Sequence, residues 1–324
     1  MKLDISPHSA PLKRAFAISR GAKTVAKTVI VTLEKNNHIG RGECVPYARY
    51  EETIGSVIDQ IEEVRPQLEA GIDRAGLQVL MPAGAARCAV DCALWDLDAK
   101  STGKPVWQLA GLPEPKPVET AVTISLDTPE NMGRAASETS GQLLKLKLGG
   151  TDDIARLEAV HAARPKARLI IDGNEGLVPA DFPAFSGRAA KLGVVLIEQP
   201  FPAADDTPLA NMSTHISICA DESAHTSADI PDLAKRYDAV NIKLDKAGGL
   251  TEAIKMVDAA HDAKMEVMVG CMVAGSLSMA PAVLLAGRAS VIDLDGPLWL
   301  AEDIANGLVY ESGFVSPPAS KFWG

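Results

Sequence analysis

The run Leu143-Leu144-Lys145-Leu146-Lys147-Leu148 puts two lysines, one residue apart, inside an otherwise apolar segment. In a strand, side chains alternate between faces, so Lys145 and Lys147 share one face and the leucines the other. Two adjacent ammonium groups are costly in apolar surroundings unless anions meet them. An edge strand with solvated lysines would give the same pattern. The residues downstream favour the first reading. Carboxylates recur behind short apolar runs in Ile170-Ile171-Asp172-Gly173-Asn174, Leu196-Ile197-Glu198-Gln199-Pro200 and Ile218-Cys219-Ala220-Asp221-Glu222. A further lysine closes Val240-Asn241-Ile242-Lys243 in the same way. One acidic residue behind a strand is ordinarily a helix N-cap. Three in register form a hard, oxygen-rich pocket suited to Mg2+, which takes few protein ligands and leaves positions for substrate oxygens. With Asp172, Glu198 and Asp221 as metal ligands, Lys147 stands to one side and Lys243 to the other. Such a pair is placed to act as base and acid on opposite faces of one carbon. A lysine base near neutral pH needs its pKa brought from ~10.4 to about 7–8. The charge of Lys145, with that of the metal, works in that direction.

Positioning these groups takes a particular frame. Beyond Pro117 the chain reads as repeated strand–helix units, with strand ends expected near Thr123, Lys147, Asp172, Glu198, Asp221, Lys243, Cys271 and Asp293. By subtraction these ends lie 22 to 28 residues apart. Eight such units predict an α/β fold with a closed (β/α)8 barrel, in preference to an open doubly wound sheet. In such barrels the active groups gather at the C-terminal ends of the strands. Residues 152–163 and 250–264 exemplify the intervening helices. Residues 1 to about 50 alternate as strands, with the β-branched Val29–Glu34 closed by Asn36-Asn37 and extended structure resuming at Ile39–Cys44. Between early strands, Phe16 to Gly21 reads as a loop carrying one arginine, Arg20. From Thr53 the periodicity is helical, with Ile54, Val57, Ile58, Ile61 and Val64 on one face. A second helix, over about 84–100, is rich in alanine, which suits close packing against another element. Strands and then helices ahead of the repeat predict an α+β capping domain at 1–115. The stiff Leu112-Pro113-Glu114-Pro115-Lys116-Pro117 would join it to the barrel at 116–301. Residues 302–324 fall outside the repeat and are expected to pack back on the cap.

The 324 residues suffice for both parts. A net charge of −10 argues against a nucleic-acid partner, which needs a basic face. The five cysteines (Cys44, Cys88, Cys92, Cys219 and Cys271) are scattered without a C-x-x-C pair, so no zinc or disulfide framework is expected. The glycines near Ile39–Cys44 make no G-x-G-x-x-G fingerprint, so no nucleotide site is assigned. Residues 1–10 lack an apolar signal core, and no window approaches 18 uninterrupted apolar residues. No membrane partner and a cytoplasmic setting are expected, with homo-oligomerisation left open.

Taken together, Lys145-Leu146-Lys147, Asp172-Gly173-Asn174, Glu198-Gln199-Pro200, Ala220-Asp221-Glu222-Ser223 and Asn241 to Gly249 resemble the enolase superfamily over essentially the whole chain. Lysines on both sides of the metal resemble its muconate-lactonizing-like subgroup. The resemblance implies Mg2+ on Asp172, Glu198 and Asp221, and a 1,1-proton transfer through an enediolate with Lys147 and Lys243 as the two catalysts. It also implies that Lys145 adds positive charge beside the substrate carboxylate. A narrower likeness follows. Asp293-Leu294-Asp295-Gly296 is similar to the Asp-x-Asp signature of dipeptide epimerases. Gly42 to Tyr47, Gly270-Cys271-Met272 and Phe16 to Gly21 resemble the branch acting on L-Ala-D/L-Glu. That likeness implies a dipeptide substrate with its ammonium at Asp293 and Asp295 and its glutamate carboxylate on Arg20, whose guanidinium forks onto carboxylates. Thr123 and Cys271 would line the pocket. The expected activity is interconversion of L-Ala-D-Glu and L-Ala-L-Glu, in murein peptide recycling. A cycloisomerase, a dehydratase or an N-acyl amino acid racemase of the same subgroup would use the same lysines and stays open. Val273-Ala274-Gly275 departs from the acidic or polar residue that many relatives carry there, which leaves the pocket wall near the seventh barrel strand undefined.

Overall fold

The computed structural model describes residues 1–324. Its first three strands, β1 (Lys2–Ile18), β2 (Gly21–Lys35) and β3 (His38–Cys44), form an antiparallel sheet. β1 and β2 make one long hairpin, paired from Lys2 and Glu34 to Ile18 and Gly21, with a register shift between Pro11 and Phe16. The loop expected at Phe16–Gly21 is therefore shorter than its composition suggests. Phe16–Ile18 continue β1, and only Ser19 and Arg20 make the turn. Cross-strand pairing sets this, with Phe16 opposite Lys23.

Helices α1 (Ile54–Glu63), α2 (Arg65–Ala70), α3 (Arg74–Leu80) and α4 (Ala85–Thr102) complete this first layer. Thr53 and Ser56 start α1 with a reciprocal capping box: Thr53 Oγ1 accepts from Ser56 N at 3.0 Å, and Ser56 Oγ accepts from Thr53 N at 2.9 Å. The alanines of α4 find their partner in β3, whose glycines let the helix backbone lie directly on the strand. A Cβ at Gly42 would sit 2.1 Å from Ala89 O, and one at Gly40 2.2 Å from Ala93 O.

A two-residue strand, β4 (Val118–Glu119), precedes eight parallel strands. These are β5 (Val122–Ile124), β6 (Leu143–Lys147), β7 (Arg168–Asp172), β8 (Val194–Glu198), β9 (Ser217–Ala220), β10 (Ala239–Ile242), β11 (Glu266–Gly270) and β12 (Val291–Asp293). They run in sequence order, and each expected strand end falls within one residue of the observed one. The first and last meet through Ala121 N donating to Ile292 O and Leu294 N to Thr120 Oγ1, both at 2.8 Å. This is a (β/α)8 barrel with a strand-rich cap. Register places Lys147 beside Asp172, and Asp172 beside Glu198. Leu144, Leu146 and Leu148 are fully buried in the main core, away from the barrel axis that Lys145 enters. Beneath the polar mouth, Ala121, Leu143, Ile170, Leu196, Cys219, Ala239 and Met268 form an apolar plug. The plug cuts the mouth off from solvent below and keeps its local dielectric low.

The C-terminal stretch does two things. β13 (Tyr310–Glu311) pairs with β14 (Phe314–Val315), which pairs in turn with β4. The chain end then reaches the cap, where Trp323 Nε1 donates to Arg41 O at 2.9 Å and Gly324 N to Asp96 Oδ1 at 2.8 Å. No helix is long and apolar enough to cross a membrane.

Candidate active site

The carboxylates of Asp172, Glu198 and Asp221 end β7 and β8 and follow β9, and all three are buried. One oxygen from each lies within 4.8 Å of the others. Their orientations are fixed from behind. Asn241 Nδ2 donates to Glu198 Oε1 at 2.7 Å, and Asn174 N donates to Asp172 Oδ1 at 3.0 Å. Gln199 Oε1 accepts from Asp221 N at 2.8 Å and Ser223 N at 3.2 Å, while its Nε2 donates to Phe201 O, Ser223 Oγ and Tyr237 OH, each at 2.9 Å. Gly270 leaves the room Asn241 needs, since a Cβ there would lie 2.4 Å from Asn241 Oδ1.

Four lysines surround this cluster. Lys147 Nζ donates to Asp172 Oδ2 at 2.5 Å, and Lys243 Nζ to Asp221 Oδ2 at 2.6 Å. Lys246 Nζ donates to Asp221 Oδ1 at 2.6 Å. Lys145 Nζ bonds Asp293 Oδ2 at 2.7 Å and lies 2.6 Å from Glu198 Oε2, as an ion pair off the hydrogen-bonding direction. Lys147 and Lys243 keep 7% and 6% of their surface exposed, against 1% for Lys145. The first two border the cavity beside the cluster, and Lys145 is packed under its floor. Burial alone would strip the charge from Lys145 and Lys243. The facing carboxylates outweigh it and hold both well above the ordinary lysine range, for Lys243 the reverse of the lowering a lysine base needs; a cation on those carboxylates would offset the charge that raises it. Burial, followed by Asp172 and Asp221, pushes the Glu198 carboxyl up to about 8. Three converging carboxylates, one of them made harder to ionise by burial and by its two neighbours, fit a hard divalent cation, which supplies positive charge that favours all three as anions.

A cavity of about 500 Å3 opens over the cluster. Phe16, Arg20, Lys23, Tyr47 and Tyr50 line it from the cap, and Lys147, Asp221, Lys243, Cys271 and Val273 from the barrel. Val273 is buried among Ala10, Ala26, Trp299 and Leu300, so the wall left undefined by the sequence is apolar. Thr123, Asp293 and Asp295 lie buried behind the lining. Thr123 N donates to Asp295 Oδ2 at 2.7 Å and Trp299 Nε1 to the same oxygen at 3.3 Å, while Asp293 Oδ1 is buried without a hydrogen-bond partner. Burial, and then Asp293, pushes the Asp295 carboxyl up to about 6.

Arg20 borders the cavity, but its charge is already engaged. It donates to Glu222 Oε1 at 2.7 Å, Glu175 Oε2 at 3.0 Å, Asn174 O at 2.7 Å and Tyr47 OH at 3.3 Å. Lys23, which belongs to no sequence motif, is the cation on that wall without an ion-pair partner. Its ammonium lies 5.8 Å from the Phe16 ring centroid, and that of Lys147 lies 5.7 Å from the same centroid. Burial, and then the charge of Lys147, pulls Lys23 down to about 8. The signal that could have found it is alternation along β2 opposite Phe16. Gln199, Asn241 and Lys246 lie within the sequence motifs, but their roles depend on neighbouring strands and leave no signal there.

Comparison with known proteins gives a consistent result. The family described as mandelate racemase / muconate lactonizing enzyme, N-terminal domain, matches residues 2–111, and enolase C-terminal domain-like matches residues 128–321. L-Ala-D/L-Glu epimerase of Escherichia coli is 44% identical over 306 residues, covering 94% of this chain and 95% of its own. N-acetyl-D-glutamate racemase of a Pseudoalteromonas species is 42% identical over 299 residues, covering 91% and 95%. An enolase family member from Agrobacterium tumefaciens with homology to dipeptide epimerases, solved with sodium and L-Ala-L-Glu and an ordered loop, aligns with a TM-score of 0.97. It is 48% identical and is covered, like this chain, to 99%.

Proposed function

The chain belongs to the enolase superfamily, among the mandelate racemase / muconate lactonizing enzymes, as an isomerase of the epimerase and racemase kind, and from that premise we propose that it epimerises dipeptides, with L-Ala-D-Glu and L-Ala-L-Glu as substrates. One observation carries the reading: Lys147 and Lys243 stand on opposite sides of a buried three-carboxylate cluster, each touching a different member of it. A one-base enzyme needs only one of them. Asp172, Glu198 and Asp221 would hold Mg2+, whose small radius and taste for oxygen suit three carboxylates. Bound there, the ion supplies Lewis-acid stabilisation of the negative charge that develops on the substrate carboxylate. Lys147 or Lys243 removes the α-proton, and the other returns one to the opposite face. Lys145, held charged by Asp293, Glu198 and Asp172, adds a fixed positive field from below.

The two ends of the dipeptide find different partners. Asp293 and Asp295, buried behind the lining beside Thr123, would supply the negative charge facing the free ammonium of the first residue. Lys23 is the uncommitted cation for an acidic second side chain, and Arg20 stands beside it. The setting proposed is cytoplasmic recycling of murein peptides. A second reading, racemisation of N-acyl glutamate, is favoured by the Pseudoalteromonas relative. It would use Lys23 equally and leave Asp293 without its ammonium. The test is kcat/KM for L-Ala-L-Glu, L-Ala-L-Leu and N-acetyl-L-glutamate with Mg2+. The dipeptide reading expects L-Ala-L-Glu first; N-acetyl-L-glutamate in first place would replace it with the racemase.

A further inference from the structure

Two segments of the cap form one wall of the cavity. The β1–β2 turn brings Phe16, Arg20 and Lys23, and the short 3-10 turn Ala48–Tyr50 with its flank brings Tyr47 and Tyr50. Glu222 and Asn174 O hold Arg20 as well, but one carboxylate on the loop after β7, that of Glu175, ties both segments to the barrel at once. Glu175 Oε2 accepts from Arg20 Nη1 and from Arg49 Nε, each at 3.0 Å. Its Oε1 accepts from Arg49 Nη2 and from Ala203 N, each at 2.8 Å. The anion is sunk, with 9% of its side chain exposed, while the two guanidiniums reach in from 28% and 38%. We propose that Glu175 is a positioning residue, a latch that Arg20 and Arg49 grip from two cap segments and that holds the cavity closed over Lys147 and Lys243.

Three features support this. First, Asn174 and Glu175 both hold left-handed backbone, at φ 42° and 67°; asparagine tolerates this, but a glutamate adopts it rarely and where its surroundings fix it. Second, the hairpin tip is seated closely: a Cβ at Gly149 would lie 2.9 Å from Ser19 Cβ, and one at Gly176 3.4 Å from the same atom. Third, Arg20 spends its charge on Glu175 and Glu222, so its role is to fasten the tip that carries Phe16 and Lys23. Two cations on one mostly buried carboxylate also keep Glu175 ionised, below the usual range, in spite of its burial. The inference rests on reading the cavity as the substrate site.

The test is Glu175→Gln, which keeps the shape and removes the charge, with KM and kcat measured on L-Ala-L-Glu and L-Ala-L-Leu. Amide hydrogen exchange of residues 16–23 is followed in the same protein without substrate. The latch predicts a KM raised roughly tenfold on both dipeptides, as expected for loss of charged hydrogen bonds. It also predicts little change in kcat and faster exchange at the tip. Arg49→Met should move both readouts the same way, and should add nothing on top of Glu175→Gln. Wild-type exchange at the tip in Glu175→Gln would overturn the latch, as would a loss confined to the glutamate dipeptide. A wild-type protein that turns over neither dipeptide would sink the substrate assignment, while the exchange measurement would still decide the latch.

Discussion

Lys23 and Arg20 sit three residues apart on the same hairpin tip, yet their surroundings divide their work. Arg20 is paired with two carboxylates, and Lys23 faces the cavity with none. A hydrogen bond to a charged group contributes roughly 1.5–3 kcal/mol, so Lys23→Met should lower kcat/KM for L-Ala-L-Glu by about ten- to a hundredfold. L-Ala-L-Leu should be nearly unaffected, and equal losses on both would remove Lys23 as the reader of the side chain. The same lysine sets a pH dependence. Burial and Lys147, with a smaller push from Lys243, hold it near 8, against the opposing pull of Cys271 and Asp245. Its charge is full below that value and lost above it. The ratio of kcat/KM for the glutamate dipeptide over the leucine dipeptide should therefore fall as pH rises through about 8. Ionisations shared by both substrates cancel in that ratio, and a flat ratio would contradict the assignment. The carboxylates and the paired lysines were legible in the sequence because apolar flanks make a buried charge conspicuous. Lys23, Gln199 and Asn241 were not. Each is an ordinary polar residue until register places it against Phe16, Asp221 or Glu198.

At the scale of elements, the alternation and spacing of the barrel strands located every strand end within a residue, because each unit must bury one apolar run and return. The cap is less legible. The tip of the β1–β2 hairpin looked like a loop, since its cross-strand pairing leaves no periodic trace and a register shift interrupts it. The two-residue strands β4, β13 and β14 are too short to carry any pattern. The alanines of α4 announced a close neighbour, and the neighbour proved to be the bare backbone of β3. Gly42→Ala should therefore destabilise the fold by about 1–3 kcal/mol, the usual cost of overpacking. Urea unfolding would register it as a lower midpoint at unchanged slope. An unchanged midpoint would mean that α4 can move aside. Activity per folded molecule should stay close to wild type, since Gly42 lies outside the cavity lining.

The whole molecule works as a barrel that presents charges at one mouth and a cap that encloses them. An apolar plug lies below the charges, and cap residues line the cavity above. Exhaustive chelation should abolish turnover while the far-ultraviolet circular dichroism of the barrel persists, because the ligands lie above the apolar plug and outside it. Full activity after chelation would contradict the metal assignment. The central claim is that two lysines serve opposite faces of one carbon. It is tested most directly by proton NMR of the α-proton of L-Ala-L-Glu and of L-Ala-D-Glu in deuterium oxide, with wild type, Lys147→Ala and Lys243→Ala. Wild type should exchange the α-proton of both isomers and interconvert them. Each single mutant should lose interconversion, and any exchange it retains should be of one isomer, opposite in the two mutants. A single mutant that still interconverts the isomers at the wild-type rate would contradict the two-base account.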